Sequence, residues 1–104
     1  MAEHDPFDRE AQEQVEAEAK ERAKLAQRIE KEDLIWLMSG KRGRRIARSF
    51  LERAGVFRSS FNTNAMQMAF NEGTRNEGLA LTAKLITYCP AQYAEMITEN
   101  KDDN

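Results

Sequence analysis

The chain has 104 residues, a net charge of −2 and one cysteine, Cys89. The length is that of one domain, a lone cysteine excludes an internal disulfide, and the longest apolar run, residues 34–38, is far too short to span a membrane. The N-terminus is acidic and lacks the apolar core of a secretory signal, so we expect a soluble protein made in the cytoplasm.

The nearly neutral total hides a strong segregation of charge along the chain. Residues 1–33 carry 11 acids and six bases, residues 41–58 carry seven bases and one acid, and residues 59–104 carry six acids and three bases. A global charge argument for nucleic acid therefore fails. The central basic segment can still attract phosphate or an acidic partner.

The first predicted element is a long charged helix. Asp5, Pro6 and Asp8 carry the signals of a helix start, and the stretch after them has no Gly or Pro and consists mainly of strong helix formers. Its apolar stripe is thin and rich in alanine, which buries little area. We interpret residues 1–32 as an exposed helical arm. The alternative, an oligomerising coiled coil, would need strong apolar heptads that this stretch lacks.

The core domain is predicted to begin at residue 33. Its apolar block, residues 34–38, is either a short helix or the end of the first one, and Ser39-Gly40 breaks it. A second helix is predicted to begin at Arg44, after a further breaker at Gly43, and to end before Gly55, a C-cap signal. The positions expected to face the core are Ile46, Ala47, Phe50, Leu51 and Ala54.

The opposite face of this second helix is predicted to be basic. Arg45 and Arg48 lie one helical turn apart, and so do Arg48 and Glu52. Several guanidinium groups are therefore expected to share one face, joined by the cations of the preceding loop. The candidate residues for contact with a partner or with nucleic acid are Lys41, Arg42, Arg44, Arg45 and Arg48.

Three interpretations of this basic face remain open. The first is a solvated face neutralised by the acidic first helix. The second is a docking surface for an acidic protein, and the third is a contact for nucleic acid without base specificity. The nucleic-acid interpretation is the least favoured, because the segment has no interleaved aromatic residues and the chain has no second basic strip.

Two further helices are predicted after a connection at residues 56–64. Val56, Phe57 and Phe61 are expected to fill the core from this connection. The third helix is predicted over residues 64–88, with Asn62, Thr63 or Asn64 as its N-cap. Gly73 and Gly78 inside it indicate a close neighbour or a bend, with a break of the helix near Glu72-Gly73 as an alternative. A last helix is predicted from Pro90, with Tyr93, Met96 and Ile97 facing inward.

The third helix also carries an unusual polar patch. Asn-Glu-Gly occurs at 71–73 and again at 76–78, which brings Asn71, Arg75 and Gly78 near one helical face. We interpret Asn71 and Arg75 as part of a hydrogen-bond network between elements, or alternatively as a contact surface. Glu72 and Glu77 are expected to pair with the basic helix.

The pattern as a whole predicts an all-α protein. No segment alternates with the period of a strand, and no hairpin turn lies between apolar runs. We expect a small helical domain of four to five helices with a long charged N-terminal helix. Its parts are predicted to be an arm at 1–32, a core domain at 33–99 and a polar tail at 100–104.

Few residues are candidates for chemistry. His4 is the only histidine and Cys89 stands alone, so no metal-ligand spacing exists and no cofactor is expected. Cys89 ends an apolar helix and has no histidine near it in sequence, so we interpret it as a buried structural thiol. The glycine-containing basic stretch at 39–45 fits no nucleotide-binding motif.

Several short motifs lie between Asp33 and about Glu99. They are Asp33-Leu34 with Trp36-Leu37, Gly43-Arg44-Arg45, the run from Leu51 to Phe57, Ser60-Phe61, Glu72-Gly73, Gly78-Leu79 with Leu81, and Pro90 with Tyr93. With these motifs the segment resembles a family of small tailed-bacteriophage proteins. These are Bordetella-phage-like proteins encoded among the head and packaging genes, near the portal gene.

The resemblance implies a virion or head-associated protein, made in the bacterial host cytoplasm, with no enzymatic activity and no catalytic residues. Such a protein is expected to dock on a portal, tail or internal ejection-protein assembly through its basic helix face and N-terminal helix, as a homo-oligomer or bound to a ring. Two alternatives remain: a DNA-contacting packaging accessory similar to a small terminase subunit, and a small inhibitor that binds a host protein.

Overall fold

The computed structural model describes residues 6–102, and the side chains of residues 7–99. These residues form four helices joined by short connections: α1 Pro6–Met38, α2 Lys41–Ala54, α3 Ala65–Tyr88 and α4 Pro90–Asp102. The prediction of an all-α fold with a long N-terminal helix is confirmed. His4 and the predicted capping residue Asp5 lie outside the described residues.

The chain divides into two compact units, Met1–Glu32 and Asp33–Asn104. In the first unit, α1 begins at Pro6, whose fixed φ suits the first helical position. Every side chain from 7 to 32 is exposed. The apolar block at 34–38 is the last part of α1 and not a separate helix.

The second unit is built around a small buried core that α2, α3 and α4 share with the end of α1. α2 packs against both α3 and α4, and α3 packs against α4. The buried apolar side chains of the described residues are Met38, Ala47, Leu51, Leu85, Cys89 and Met96. Tyr93 and Ile97 pack against this cluster, so the predicted inward positions of the last helix are confirmed.

α2 begins at Lys41, three residues before the predicted start. Gly43 therefore lies inside the helix, and its prediction as a breaker is wrong. A Cβ atom at Gly43 would overlap the backbone carbonyl of Leu37, so glycine is required here because α1 and α2 approach closely. Gly55 ends the helix with φ 85°, and its N–H donates to the Glu52 carbonyl, which confirms the predicted C-cap.

The core-facing side of α2 differs from the predicted one. Arg44, Ala47 and Leu51 are buried, whereas Ile46 is 63% exposed and Phe50 is 44% exposed. The prediction that Ile46 and Phe50 face the core is therefore wrong. An arginine occupies the buried side because acceptors on α1 and α4 satisfy its guanidinium group.

The connection between α2 and α3 contributes one apolar side chain to the core. Val56 packs against the buried cluster, but Phe57 is 41% exposed and Phe61 is 75% exposed. The prediction that these two phenylalanines fill the core is wrong. The side chain of Asn64 accepts a hydrogen bond from the Gln67 N–H at 3.0 Å, which confirms Asn64 as the N-cap of α3.

α3 runs without a break from Ala65 to Tyr88, so the alternative of a break near Glu72-Gly73 is wrong. Gly78, in contrast, marks the predicted close neighbour: a Cβ atom there would lie 2.5 Å from Val56 Cγ2 and 2.8 Å from Ala54 Cβ. A single residue, Cys89, separates α3 from α4. α4 continues to Asp102, so part of the predicted polar tail is helical.

Candidate interaction surface on the second helix

Arg44 is a buried structural residue. Its side chain is 9% exposed, and its Nε atom lies 2.5 Å from Glu99 Oε1. Nη1 donates to the Met38 carbonyl at 2.9 Å, and Nη2 lies 3.4 Å from Glu95 Oε1. Arg44 was predicted to share an exposed face with its neighbours; instead it lies between α2, α4 and the end of α1, where carboxylates offset the cost of burying its charge.

Arg48 is also engaged within the protein. Its Nε atom lies 3.2 Å from Glu52 Oε1, one turn along the same helix, and its guanidinium carbon lies 3.9 Å from the centroid of the Phe57 ring. The guanidinium group thus covers part of the Phe57 ring, which remains 41% exposed. Within the described residues, neither Glu72 nor Glu77 pairs with α2, so that expectation is corrected.

The remaining cations of α2 lie on a face directed to solvent. Arg42, Arg45 and Arg53 are exposed, and none of their side chains forms a hydrogen bond or ion pair with any residue that the structure describes. Lys41 is exposed as well and has a partner. Of the five predicted contact residues, the structure thus leaves Lys41, Arg42 and Arg45 at the surface and draws Arg44 and Arg48 into contacts of their own.

Exposed residues on this side of α2 form two parallel rows with a spacing of four. One row is Arg42, Ile46 and Phe50, and the other is Arg45, Ser49 and Arg53. We call these six residues the α2 outer face. From its first to its last residue the face extends about 17 Å at 1.5 Å per residue. It carries three positive charges, no negative charge and two large apolar side chains.

A cleft of about 170 Å³ lies between α2 and α4, beside the α2 outer face. Arg44, Arg48, Glu52 and Glu99 are all part of its wall, and they are paired with one another as described above. Arg44 and Arg48 thus already have carboxylate partners, whereas Arg45, which also lines the cleft, has none among the described residues. The unpaired cations lie on the α2 outer face itself.

The polar patch of α3 holds the preceding connection in place. Arg75 Nε donates to the Arg58 carbonyl at 3.2 Å, and Asn71 Nδ2 donates to the Ser60 carbonyl at 3.5 Å. The hydroxyl of Ser60 in turn donates to the carboxylate of Glu72. The structure therefore brings Asn71 and Arg75 together with the connection between α2 and α3.

Among the described residues, the single cysteine is buried and no cluster of metal ligands is present. Cys89 is 3% exposed, and burial raises the pKa of its thiol, so the nucleophilic thiolate is disfavoured. No three His, Cys, Asp or Glu side chains converge as metal ligands in this part. No helix within it has both the length and the apolar character needed to cross a bilayer.

The sequence pattern did not lead to a prediction that Ile46 and Phe50, the apolar half of the α2 outer face, are exposed. Ile46 and Phe50 were assigned to the core because they are large and apolar, although Arg44 shares the spacing i, i+3, i+7 with Ala47 and Leu51. That spacing is the signal that could have found the true buried side. It places the centre of the buried side about 60° around the helix from the predicted one, with Ala47 and Leu51 common to both.

Comparison with known proteins places the second unit in a phage family. A family model described as "Bbp19-like phage protein" matches residues 35–98. The match includes all of α2 and α3 and most of α4. No curated protein and no solved structure matches the chain. The family match covers more than half of the sequence and confirms the resemblance to small phage proteins, so the chain belongs to the Bbp19-like phage proteins.

Proposed function

We propose that this phage protein is a non-enzymatic structural or assembly component of the virion that docks on an acidic protein surface through the α2 outer face. The partner would belong to the portal, the tail or the internal ejection assembly. The observation that carries the proposal is the composition of the face: Arg42, Arg45 and Arg53 lack partners among the described residues and alternate with exposed Ile46 and Phe50.

The mixture of charge and apolar surface favours a protein partner over DNA. Arginine and aromatic residues, phenylalanine included, are enriched at protein interfaces. A phosphate backbone rewards the guanidinium groups but offers nothing apolar to cover Ile46 and Phe50, which are 63% and 44% exposed. An acidic protein surface with an apolar depression matches both components of the face.

Binding of several copies to one assembly would allow a contact of this small size to hold the protein in the particle. A face about 17 Å long is small for a stable pairwise interface. If several copies bound one ring, each contact would add to the others through a high effective concentration. The exposed first helix supplies a second surface for such an assembly.

The first test is the protein content of purified virions. Quantitative mass spectrometry of intact particles is expected to detect the protein at a fixed copy number, as a multiple of a ring symmetry. Absence from washed particles would overturn the structural role. In that case, recovery of a stable one-to-one complex with a host protein from infected cells would support the inhibitor alternative.

The second test locates the docking face. Arg45→Glu is expected to reduce incorporation into particles strongly, whereas Lys84→Glu, the same charge reversal at an exposed position on α3, is expected to leave it unchanged. Ile46→Ser is expected to reduce incorporation as well, because it removes apolar contact area without changing the charge. Incorporation of the Arg45→Glu variant at the wild-type level would exclude the α2 outer face.

The DNA-contacting alternative makes a different prediction for the same variants. Binding to duplex DNA would depend on the number of cations and would fall steeply with added salt, and it would be indifferent to Ile46→Ser. Tight, salt-dependent DNA binding that Arg45→Glu abolishes and Ile46→Ser preserves would favour a packaging accessory over protein docking.

A further inference from the structure

The exposed first helix contains a seam with a regular spacing. Its positions follow at alternating intervals of four and three residues: Ala11, Val15, Glu18, Arg22, Leu25 and Ile29. This is the spacing of the a and d positions of a coiled coil. Val15, Leu25 and Ile29 are 60%, 52% and 48% exposed, so no described residue covers the apolar part of the seam.

The seam is symmetric about Lys20. Each seam position has a counterpart at the same distance on the other side of Lys20, so the two residue numbers of a pair sum to 40. A two-fold axis that passes between two antiparallel helices at the level of Lys20 would therefore place Val15 of one helix opposite Leu25 of the other. The same axis brings Ala11 opposite Ile29, a small residue against a large one, and Glu18 opposite Arg22.

The charges of the helix also suit an antiparallel pair, because its two halves have opposite net charges. Residues 7–19 carry five acids and one base, a net of −4, whereas residues 20–32 carry five bases and three acids, a net of +2. Antiparallel pairing places the acidic half of one copy on the basic half of the other. Parallel pairing would bring like halves together and repel.

We propose that α1 pairs with the α1 of a second copy of this chain as an antiparallel coiled coil with its two-fold axis at Lys20. Ala19 and Ala26 flank the seam on one side and permit a close approach of the backbones. Glu21 flanks the axis on the other side and already has Lys24 as a partner, 3.7 Å away in its own helix. The central Glu18–Arg22 layers contribute register and orientation more than stability.

The seam supports a weak, concentration-dependent dimer. It covers 18 residue steps, about 27 Å of helix, and only its outer layers are apolar. This inference goes beyond the docking role proposed above and is tested on purified protein alone. A failure of either proposal therefore leaves the other standing, since the α2 outer face belongs to a different helix.

Cysteine cross-linking tests the orientation. In a Cys89→Ala background, a mixture of a Val15→Cys chain and a Leu25→Cys chain is expected to form a disulfide-linked heterodimer under mild oxidation. Neither chain alone is expected to cross-link. The matched control is a mixture of Glu13→Cys and Gln27→Cys chains, whose positions have the same symmetry but lie on the outer side of the helix. Self-cross-linking of the Val15→Cys chain, or equal cross-linking of the control, would overturn the proposal.

Charge reversal tests the central Glu18–Arg22 layers. Mixing two charge-reversed chains distinguishes a loss of pairing from a misfolded variant. Glu18→Arg alone places arginine against arginine, and Arg22→Glu alone places glutamate against glutamate, so each chain is expected to dimerise at least about tenfold more weakly than the wild type. An equimolar mixture of the two restores opposite charges in both layers and is expected to recover dimerisation in sedimentation equilibrium. A wild-type chain that remains monomeric at millimolar concentration, or a mixture no better than its components, would overturn the antiparallel pair.

Discussion

Arg44 Nε and Glu99 Oε1 lie 2.5 Å apart and join α2 to α4 through side chains that are 9% and 19% exposed. The two residues are separated by 55 positions in the chain, so their contact depends on the complete packing of the second unit. Glu95, one turn earlier on α4, lies at the edge of the same guanidinium group and is 56% exposed. The two carboxylates thus differ in burial while they share one cation.

This difference in burial predicts unequal costs for removing the two carboxylate charges. Glu99→Gln is expected to lower the free energy of unfolding by about 1–3 kcal/mol, because it leaves the buried Arg44 without its closest counter-charge. Glu95→Gln is the matched control and is expected to cost less than about 0.5 kcal/mol, as exposed pairs usually do. Urea denaturation monitored by circular dichroism measures both, and equal losses would contradict the assignment of Glu99 as the main partner.

Two glycines of α3 predict opposite responses to the same substitution. Gly78→Ala is expected to destabilise the protein by about 1–3 kcal/mol, because the added methyl group overlaps Val56 and Ala54. Gly73→Ala is expected to stabilise it by about 0.5–1 kcal/mol, because nothing lies within 4 Å and alanine is the better helix former. Thermal unfolding of the two variants decides; a loss of stability in both would mean that the surroundings of Gly73 are not open.

The N-cap of α3 predicts a cost at Asn64 that its neighbour Thr63 does not share. Asn64→Ala is expected to lower the free energy of unfolding by about 1 kcal/mol, because the Gln67 N–H loses its side-chain acceptor. Thr63→Ala provides the control, since the Thr63 side chain makes no hydrogen bond with the described residues, and it is expected to be nearly neutral. A comparable loss for Thr63→Ala would contradict the cap assignment.

Burial of Cys89 predicts a dependence of stability on alkaline pH. Its pKa is raised from the ordinary value of 9.0, so the unfolded chain loses the thiol proton at a lower pH than the folded chain does. The stabilisation is complete below pH 9 and is lost as the pH rises through the higher pKa of the folded state. The difference in unfolding free energy between the wild type and Cys89→Ala is therefore expected to shrink above pH 9. A difference that grows with pH would contradict this sign.

Much of the fold follows from local signals in the sequence. Pro6, Gly55 and Asn64 mark helix ends through backbone geometry and capping, which act within a few residues, and their roles were predictable for that reason. The separation of an alanine-rich charged arm from an apolar domain was equally visible. These signals do not depend on knowing which helices meet.

The errors concern residues whose role is decided by distant neighbours. The sequence alone predicts Gly43 to be a helix breaker. In the structure it is required because the carbonyl of Leu37 occupies the space that a side chain would need. The sequence alone predicts Arg44 to be a surface cation, because its partner Glu99 lies 55 positions further along the chain. Once Arg44 is buried, Ile46 and Phe50 must turn outward, so one unseen ion pair accounts for the misassigned side of α2 and for the apolar half of its outer face.

The hydrogen bond from Arg44 Nη1 to the Met38 carbonyl gives α1 a C-terminal cap that comes from another helix. The last carbonyls of a helix have no partner within it, and here one of them is satisfied by a side chain that is itself held by α4. The point where the first helix stops is consequently fixed by tertiary packing and not by Ser39-Gly40 alone. Loss of α4 would release Arg44 and, through it, allow the end of α1 to fray.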